Sequence, residues 1–147
     1  MPLRLIPLLI LVLLASACGT PPPAQTGGEG SVPLPAASGS AVRSLLRKAR
    51  AAAQAQQPEQ AAALLERALR IEPDNAVLWN YLAKLRLQQG QLQQAIDLAA
   101  RSTSMTSDPL LQSDNWRIIA HAYYQQGNMA AARKAQARAK AARDSRD

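Results

Sequence analysis

The sequence is poor in the residues from which catalytic and metal sites are built. Among 147 residues it has one cysteine, Cys18, one histidine, His121, and no phenylalanine. A single thiol cannot close a disulfide within its own chain, and one histidine with no cysteine near it cannot hold a structural zinc ion. The carboxylates are scattered, and no glycine-rich phosphate loop separates a strand from a helix. The sequence therefore predicts no enzyme, no metal and no cofactor.

The only cysteine ends a segment that is typical of an export signal. Arg4 precedes an apolar run from Leu5 to Leu14, and the small residues of ASAC follow it. This run is shorter than the roughly 20 apolar residues that a membrane-spanning helix needs. Residues 1–17 are therefore predicted to be a cleaved signal peptide. Ordinary cleavage also fits the small residues, but it would leave an exposed, unpaired thiol on an exported protein.

The stretch LASAC, residues 14–18, resembles the lipobox of bacterial lipoproteins, although Ala15 stands where that family usually has leucine. The resemblance implies that Cys18 becomes the first residue of the mature chain and carries acyl groups such as palmitate. Gly19 follows the cysteine, in place of the aspartate that retains such proteins at the inner membrane. The resemblance therefore implies an outer-membrane anchor, with the rest of the chain in the periplasm.

Residues 19–40 have the composition of a tether. They contain five of the ten prolines, five of the seven glycines and a single charge, at Glu29. So little apolar surface cannot offset the entropy lost on ordering a chain. We therefore expect residues 18–40 to form a lipidated cysteine and a disordered tether, with a mean end-to-end distance of about 25 Å.

Residues 41–147 change to a composition rich in alanine, leucine, glutamine and arginine, which predicts one helical domain. Short breaks divide this part into six segments with helical spacing, hence three hairpins. The segments also repeat one another. The first unit shares an offset of 34 residues with the second, at Ala61 and Ala95, Leu64 and Leu98, and Ala68 and Ser102. The second shares an offset of 37 with the third, at Trp79 and Trp116, Leu82 and Ile119, and Gly90 and Gly127.

A 34-residue period with this order of tryptophan, leucine, glycine and alanine resembles the tetratricopeptide repeat. The resemblance implies an all-α fold, a short right-handed solenoid of three stacked hairpins, with units at about 41–74, 75–108 and 112–145. Trp79 and Trp116 are expected to pack inside their hairpins. The three extra residues between Ser102 and Asp114 are expected to lengthen the last helix of the second hairpin or its exit loop.

In this family the first helix of each hairpin lines the concave face, which implies a candidate partner-binding groove. Arg50, Lys84 and His121 occupy equivalent places of the three units. The whole candidate set is Arg43, Arg50, Asn80, Lys84, Leu87, Arg117, His121 and Tyr124. A basic and partly apolar groove suits a peptide with an acidic segment or a C-terminal carboxylate. The same residues also fit ordinary solvated positions, and the basic last helix is an alternative contact.

The net charge of +7 would ordinarily suggest nucleic acid, but an exported protein seldom meets any. The order of segments indicates instead a lipid-anchored adaptor for protein–protein interaction at the bacterial cell envelope. This layout resembles that of the outer-membrane activators of class A penicillin-binding proteins, which implies a peptidoglycan synthase as the partner. Two alternatives stay open: a pilotin-like assembly factor for a secretin or pilus, and a structural protein that associates with the wall or membrane through its basic ends.

Overall fold

A computed structural model describes residues 33–36 and 38–145. Six helices are present in this part: α1 (Ser40–Gln54), α2 (Pro58–Ile71), α3 (Ala76–Gln88), α4 (Leu92–Ser104), α5 (Pro109–Gln125) and α6 (Met129–Asp144). They pack as three hairpins, α1 with α2, α3 with α4 and α5 with α6, stacked in chain order. The described residues contain no strand, and the predicted all-α repeat fold is confirmed. The predicted signal peptide and Cys18 lie outside the described residues.

The turn inside each hairpin follows one backbone design. Gly90 and Gly127 have φ angles of 71° and 76°, in the left-handed region that glycine enters without strain. The residue after each glycine donates its backbone N–H across the turn, from Gln91 to the Arg86 carbonyl and from Asn128 to the Tyr123 carbonyl, at 2.9 Å in both cases. This is the Schellman end of a helix, and it reverses the chain tightly enough for the next helix to pack back.

Polar caps begin the helices that follow the longer connections. The Asn75 side chain accepts from the backbone N–H of Val77 at the start of α3. Asp108 does the same for Leu110 at the start of α5, where Pro109 supplies a first residue that needs no hydrogen bond. Each cap satisfies a backbone donor that has no partner within the helix. These caps therefore define where the first helices of the second and third hairpins begin.

The three extra residues before the third hairpin lengthen α5, and not α4 or its exit loop as expected. Helix α4 has 13 residues and α2 has 14, whereas α5 has 17 residues against the 13 of α3. Helix α5 begins at Pro109, before the place equivalent to Ala76. The reason is the N-cap at Asp108, which starts the helix about one turn early.

Alanines occupy many of the most deeply buried positions between the helices. Ala68, Ala95 and Ala99 have no exposed surface. Trp79 and Trp116 pack against the core clusters but remain partly exposed. An arginine from the second helix of the same hairpin covers each ring: Arg101 lies 3.9 Å from the ring centroid of Trp79, and Arg138 lies 4.6 Å from that of Trp116. The arginine stems and guanidinium groups thus complete the packing of the two tryptophans.

The packed part of the chain begins before residue 41, so the end of the expected tether is part of the domain. Leu34 packs against a cluster that contains Val77 and Leu111, and Ser38 is 5% exposed. Glu72 holds this segment in place, since its carboxylate accepts from the Ser38 hydroxyl at 3.1 Å and from the Gly39 backbone N–H at 2.8 Å. An apolar side chain and a carboxylate acceptor are what order these residues in spite of their proline- and glycine-rich composition.

Opposing influences act on the Glu72 carboxyl group. Partial burial by itself would raise its pKa, but hydrogen bonds from Asn75, Gly39 and Ser38 and the positive charge of Arg43 together hold the pKa below its usual value. The ionised form is therefore the one that fastens the segment before α1 to the start of α3.

In the part of the chain that the structure describes, no helix combines the length and apolar character required to cross a bilayer.

Candidate partner-binding groove

A cavity of about 790 Å³, called the groove below, opens on the surface formed by α3, α5 and α6. Five of the predicted groove residues line it: Lys84, Leu87, Arg117, His121 and Tyr124. The repeat register thus placed side chains from two different hairpins on one surface, although they are up to 40 residues apart in sequence. The remaining predicted residues, Arg43, Arg50 and Asn80, do not line this cavity.

Asn80 is fully buried and cannot meet a partner. Its side-chain amide donates to the Asn115 side-chain oxygen at 2.8 Å, and Asn115 in turn donates to the Ser102 hydroxyl at 2.8 Å. The Ser102 hydroxyl donates to the Ala76 backbone carbonyl, also at 2.8 Å. This chain of hydrogen bonds, the polar chain below, joins α3, α4 and α5 inside the domain. A buried amide needs such partners, so Asn80 acts in packing and not on the surface.

The polar chain reaches the groove at Asp114. The Asn80 amide also donates to the Asp114 carboxylate at 2.8 Å, and the Lys84 ammonium nitrogen lies 2.6 Å from the same carboxylate oxygen. Lys84 and Asp114 are both partly buried, with 28% and 16% of their side chains exposed. The buried Asn80 amide thus helps to fix the position of the Lys84–Asp114 ion pair. Asp114 also offsets the charge of Lys84, which makes this wall of the groove less basic than the sequence predicts.

The positive charge of the groove resides chiefly on Arg117 and Arg133. Both side chains are exposed, and neither has a carboxylate within 4 Å among the residues that the structure describes. His121 also lines the groove, with its Nε2 atom 3.1 Å from the Gln125 side-chain nitrogen. Guanidinium groups of this kind can each donate two hydrogen bonds to one carboxylate. The groove can therefore bind an anionic group without first breaking an internal ion pair.

An apolar patch adjoins these cations. Tyr124 is 62% exposed and Met129 is 44% exposed, and both line the groove. Aromatic and methionine side chains are common at the centres of protein interfaces, because they bury a large area and adapt their shape to a partner. The combination of free guanidinium groups and exposed apolar side chains suits a polypeptide ligand with both acidic and apolar residues.

Arg50 and Arg43 lie beyond the groove, towards the first hairpin. The Arg50 guanidinium stacks 4.5 Å from the ring centroid of Tyr81 and donates to the Tyr81 hydroxyl. The Lys84 ammonium lies 5.5 Å from the centroid of the same ring. Tyr81 therefore links the Arg50 and Lys84 places of the predicted row. Arg43, predicted on a neighbouring row of the same face, donates to the Ser38 carbonyl. The row of basic residues exists, but Arg50 and Lys84 of the row and Arg43 beside it are engaged within the domain.

The groove predicted from the sequence did not include Tyr81, Asp114, Met129 or Arg133. The signal for Tyr81 was present, since it stands 37 residues before Ile118, which lines the groove. Met129 and Arg133 were missed because only the first helices were considered, whereas α6 forms one side of the groove. As for metals, no group of three or more potential ligands that could hold an ion occurs in residues 33–36 and 38–145.

Comparison with known proteins agrees with this architecture. A tetratricopeptide repeat model matches residues 52–113. The globular C-terminal domain of P. aeruginosa LpoP has a TM-score of 0.68 and 36% sequence identity, over 70% of this chain and 98% of that domain. The N-terminal domain of stress-induced protein-1 (STI-1) from C. elegans has a TM-score of 0.62 over 71% of this chain and 88% of that one, and at 13% identity it shows the fold alone. No curated protein sequence matches the chain. The identity to nearly the whole LpoP domain shows that the chain belongs to the tetratricopeptide repeat family, as a relative of LpoP.

Proposed function

We propose that the chain is a lipid-anchored, non-catalytic adaptor of the bacterial outer membrane that binds a class A penicillin-binding protein and activates or positions it. The observation that carries the proposal is the 36% identity over 98% of the LpoP domain. The order of a predicted signal, the LASAC motif, a proline-rich stretch and a short repeat domain supports it. Cys18 is the proposed site of lipidation.

The groove supplies the proposed contact with the synthase. Arg117 offers a guanidinium group with no carboxylate partner among the described residues, while Lys84 is held beside Asp114. A carboxylate of the partner would therefore meet Arg117 at a lower energetic cost than Lys84, because no existing ion pair is lost. His121 and Leu87 also line the groove. Binding of this kind is non-covalent, and complementary charge would raise its rate and its specificity more than its final affinity.

Binding of the mature, lipidated chain in detergent to the purified periplasmic region of a class A penicillin-binding protein tests the proposal. Arg117→Glu should weaken binding by about tenfold or more, since a charge-assisted hydrogen bond is worth roughly 1.5 to 3 kcal/mol. Arg67→Glu on α2 is the matched control, because it makes the same charge change at an exposed site outside the groove. Its affinity should stay within about twofold of the wild type.

The two variants should also differ in how strongly they stimulate glycan-chain synthesis by the enzyme, with Arg117→Glu stimulating it less than Arg67→Glu. Raising the salt concentration should weaken wild-type binding, since exposed charges are screened over about 8 to 10 Å near physiological ionic strength. Equal affinities of Arg117→Glu and Arg67→Glu would remove the groove from the proposal. A wild-type protein that neither binds nor stimulates the synthase would refute the function itself.

The proposed anchor has its own test. Mass spectrometry of the mature chain should find acylated Cys18 as the first residue, and Cys18→Ser should move the protein from the membrane fraction to the soluble fraction. Retention of processed Cys18→Ser in membranes would mean that another part of the chain makes the attachment.

A further inference from the structure

The α6 side of the groove is the surface on which a following hairpin would stack. The offset of 37 residues relates four places of the second hairpin to four of the third. Leu87 corresponds to Tyr124, Leu92 to Met129, Ile96 to Arg133 and Ala99 to Gln136. All four residues of the third hairpin line the groove. We call these four residues the terminal seat.

In the second hairpin the equivalent face holds a helix. Ile96 and Ala99 are 7% and 0% exposed, and they share one core cluster with Ile118 and Ile119 of α5. Leu87 and Leu92 pack against the same cluster. Helix α5 contacts both α3 and α4, so the face of the second hairpin is the place where the third hairpin docks.

The equivalent face of the third hairpin has the same small buried residues, but larger residues around them remain exposed. Ala120 and Ala132, the counterparts of Ala83 and Ala95, are still small and nearly buried, at 6% and 7% exposure. Such small residues are what allow a helix to approach closely. Around them Tyr124 and Met129 remain exposed, and Arg133 replaces a buried isoleucine. The terminal seat is thus a helix-docking face with an added positive charge.

We propose that the terminal seat binds an amphipathic helix of the partner, with apolar residues on Tyr124 and Met129 and a carboxylate on Arg133. A helix is the expected shape because α5 fills the equivalent place one hairpin earlier. An acidic residue is expected because Arg133 has no carboxylate within 4 Å among the described residues. The inference rests on the proposed function in one respect: the partner is taken to be the same synthase.

Charge argues against a second copy of the chain as the occupant. In a head-to-tail stack the helix entering the seat would be α1 of the next copy. The exposed residues of α1 include Arg43, Arg47 and Lys48, and the helix contains no acidic residue. These cations would face Arg133 and Arg117, and like charges at an interface oppose association.

A peptide with the sequence of α5, residues 109–125, is the direct probe, because the intact protein already has its own α5 on the second hairpin. Four labelled peptides would be titrated against the mature chain: the unchanged sequence and the Ile118→Glu, Ile119→Glu and Ala122→Glu versions. At least one glutamate peptide should bind more tightly than the unchanged one. Arg133→Glu in the protein should then weaken that binding by about tenfold or more.

Lys134→Glu is the matched control. It lies next to Arg133 on the same helix and makes the same charge change, but it does not line the groove. Its affinity for the peptide should stay within about twofold of the wild type. Failure of every peptide to bind, or equal binding to Arg133→Glu and Lys134→Glu, would overturn the terminal seat. Self-association of the wild type that Arg133→Glu abolishes would make a second copy the occupant and overturn the proposed partner helix.

Binding of the synthase to the same variants separates this inference from the function. If the synthase binds the wild type and Arg133→Glu equally, while Arg117→Glu weakens it, the adaptor function stands and the terminal seat is not a partner contact. If the synthase does not bind at all but a glutamate peptide binds at Arg133, the helix seat is supported and the proposed partner is wrong.

Discussion

Gln56 occupies the place of Gly90 and Gly127 in the first hairpin, and its backbone predicts a stabilising substitution. It is the non-glycine residue with a positive φ angle, 57°, in the described part of the chain. The turn around it has the same hydrogen bond as the other two, from the Gln57 backbone N–H to the Ala52 carbonyl at 2.9 Å. The hairpin therefore requires the left-handed conformation, and glutamine adopts it under strain.

The size of the effect follows from two opposing terms. The left-handed conformation costs a residue with a side chain about 1 to 2 kcal/mol. Glycine loses more chain entropy than other residues on folding, which cancels about 0.5 to 1 kcal/mol of the gain. Gln56 is exposed, so its side chain contributes little packing. Gln56→Gly should therefore raise the free energy of unfolding by about 0.5 to 1 kcal/mol, or Tm by about 2 to 5 °C.

Gly90→Ala is the reverse experiment. A Cβ atom at Gly90 would have no atom within 4 Å, so steric contact adds nothing and only the backbone term remains. This variant should lower the free energy of unfolding by about 1 kcal/mol. Urea denaturation of both variants, followed by circular dichroism, measures the two changes. A less stable Gln56→Gly, or a Gly90→Ala as stable as the wild type, would show that the φ angle does not limit stability at these turns.

Two further predictions concern polar side chains that make hydrogen bonds within the domain. The pKa of Glu72 is lower in the folded state than in the unfolded state. The stability that its carboxylate contributes is therefore complete above the unfolded-state pKa of about 4.3, and it is lost as the pH falls through the lower folded-state pKa. Glu72→Gln should therefore be less stable than the wild type at neutral pH, and this deficit should shrink in urea titrations as the pH falls below the unfolded value; a constant deficit at all pH values would contradict this. Asn115→Leu removes two hydrogen bonds of the polar chain and should cost about 2 to 3 kcal/mol in the same assay, whereas a cost below about 0.5 kcal/mol would mean that the polar chain does not stabilise the stack.

The fold could be predicted because its requirements are local and repeat. Gly90 and Gly127 mark two of the three hairpin turns, and Asn75 and Asp108 mark two helix starts. The tryptophan positions then set the register of the second and third units. The added turn of α5 was assigned to the wrong element, because the pattern of repeats shows that residues are inserted but only the cap at Asp108 decides which helix takes them.

The groove could be predicted in part, because the repeat register indicates the face of the helix on which a residue lies but not how deeply that residue is buried. Lys84 and His121 were correctly placed on one surface. Asn80 was predicted on the same face of α3, but it lies where α5 packs against α3, and this contact buries it completely. The Lys84 and Asp114 pair depends on a contact between two hairpins, which no spacing within either one contains. The sequence can therefore indicate which face of the domain forms the groove, whereas the charge balance of that face depends on tertiary contacts.

The distribution of those contacts also limits how much of the +7 charge is available to a partner. Arg101 and Arg138 cover tryptophan rings, and Lys84 is held by Asp114. A charge reversal at Arg138 would therefore disturb the packing of Trp116 and could not serve as a pure test of charge. Arg117 and Arg133 differ from these residues because they line the groove and have no carboxylate within 4 Å among the described residues. If the groove recognises an acidic segment, its selectivity should depend on these two arginines and only weakly on the net charge of the domain.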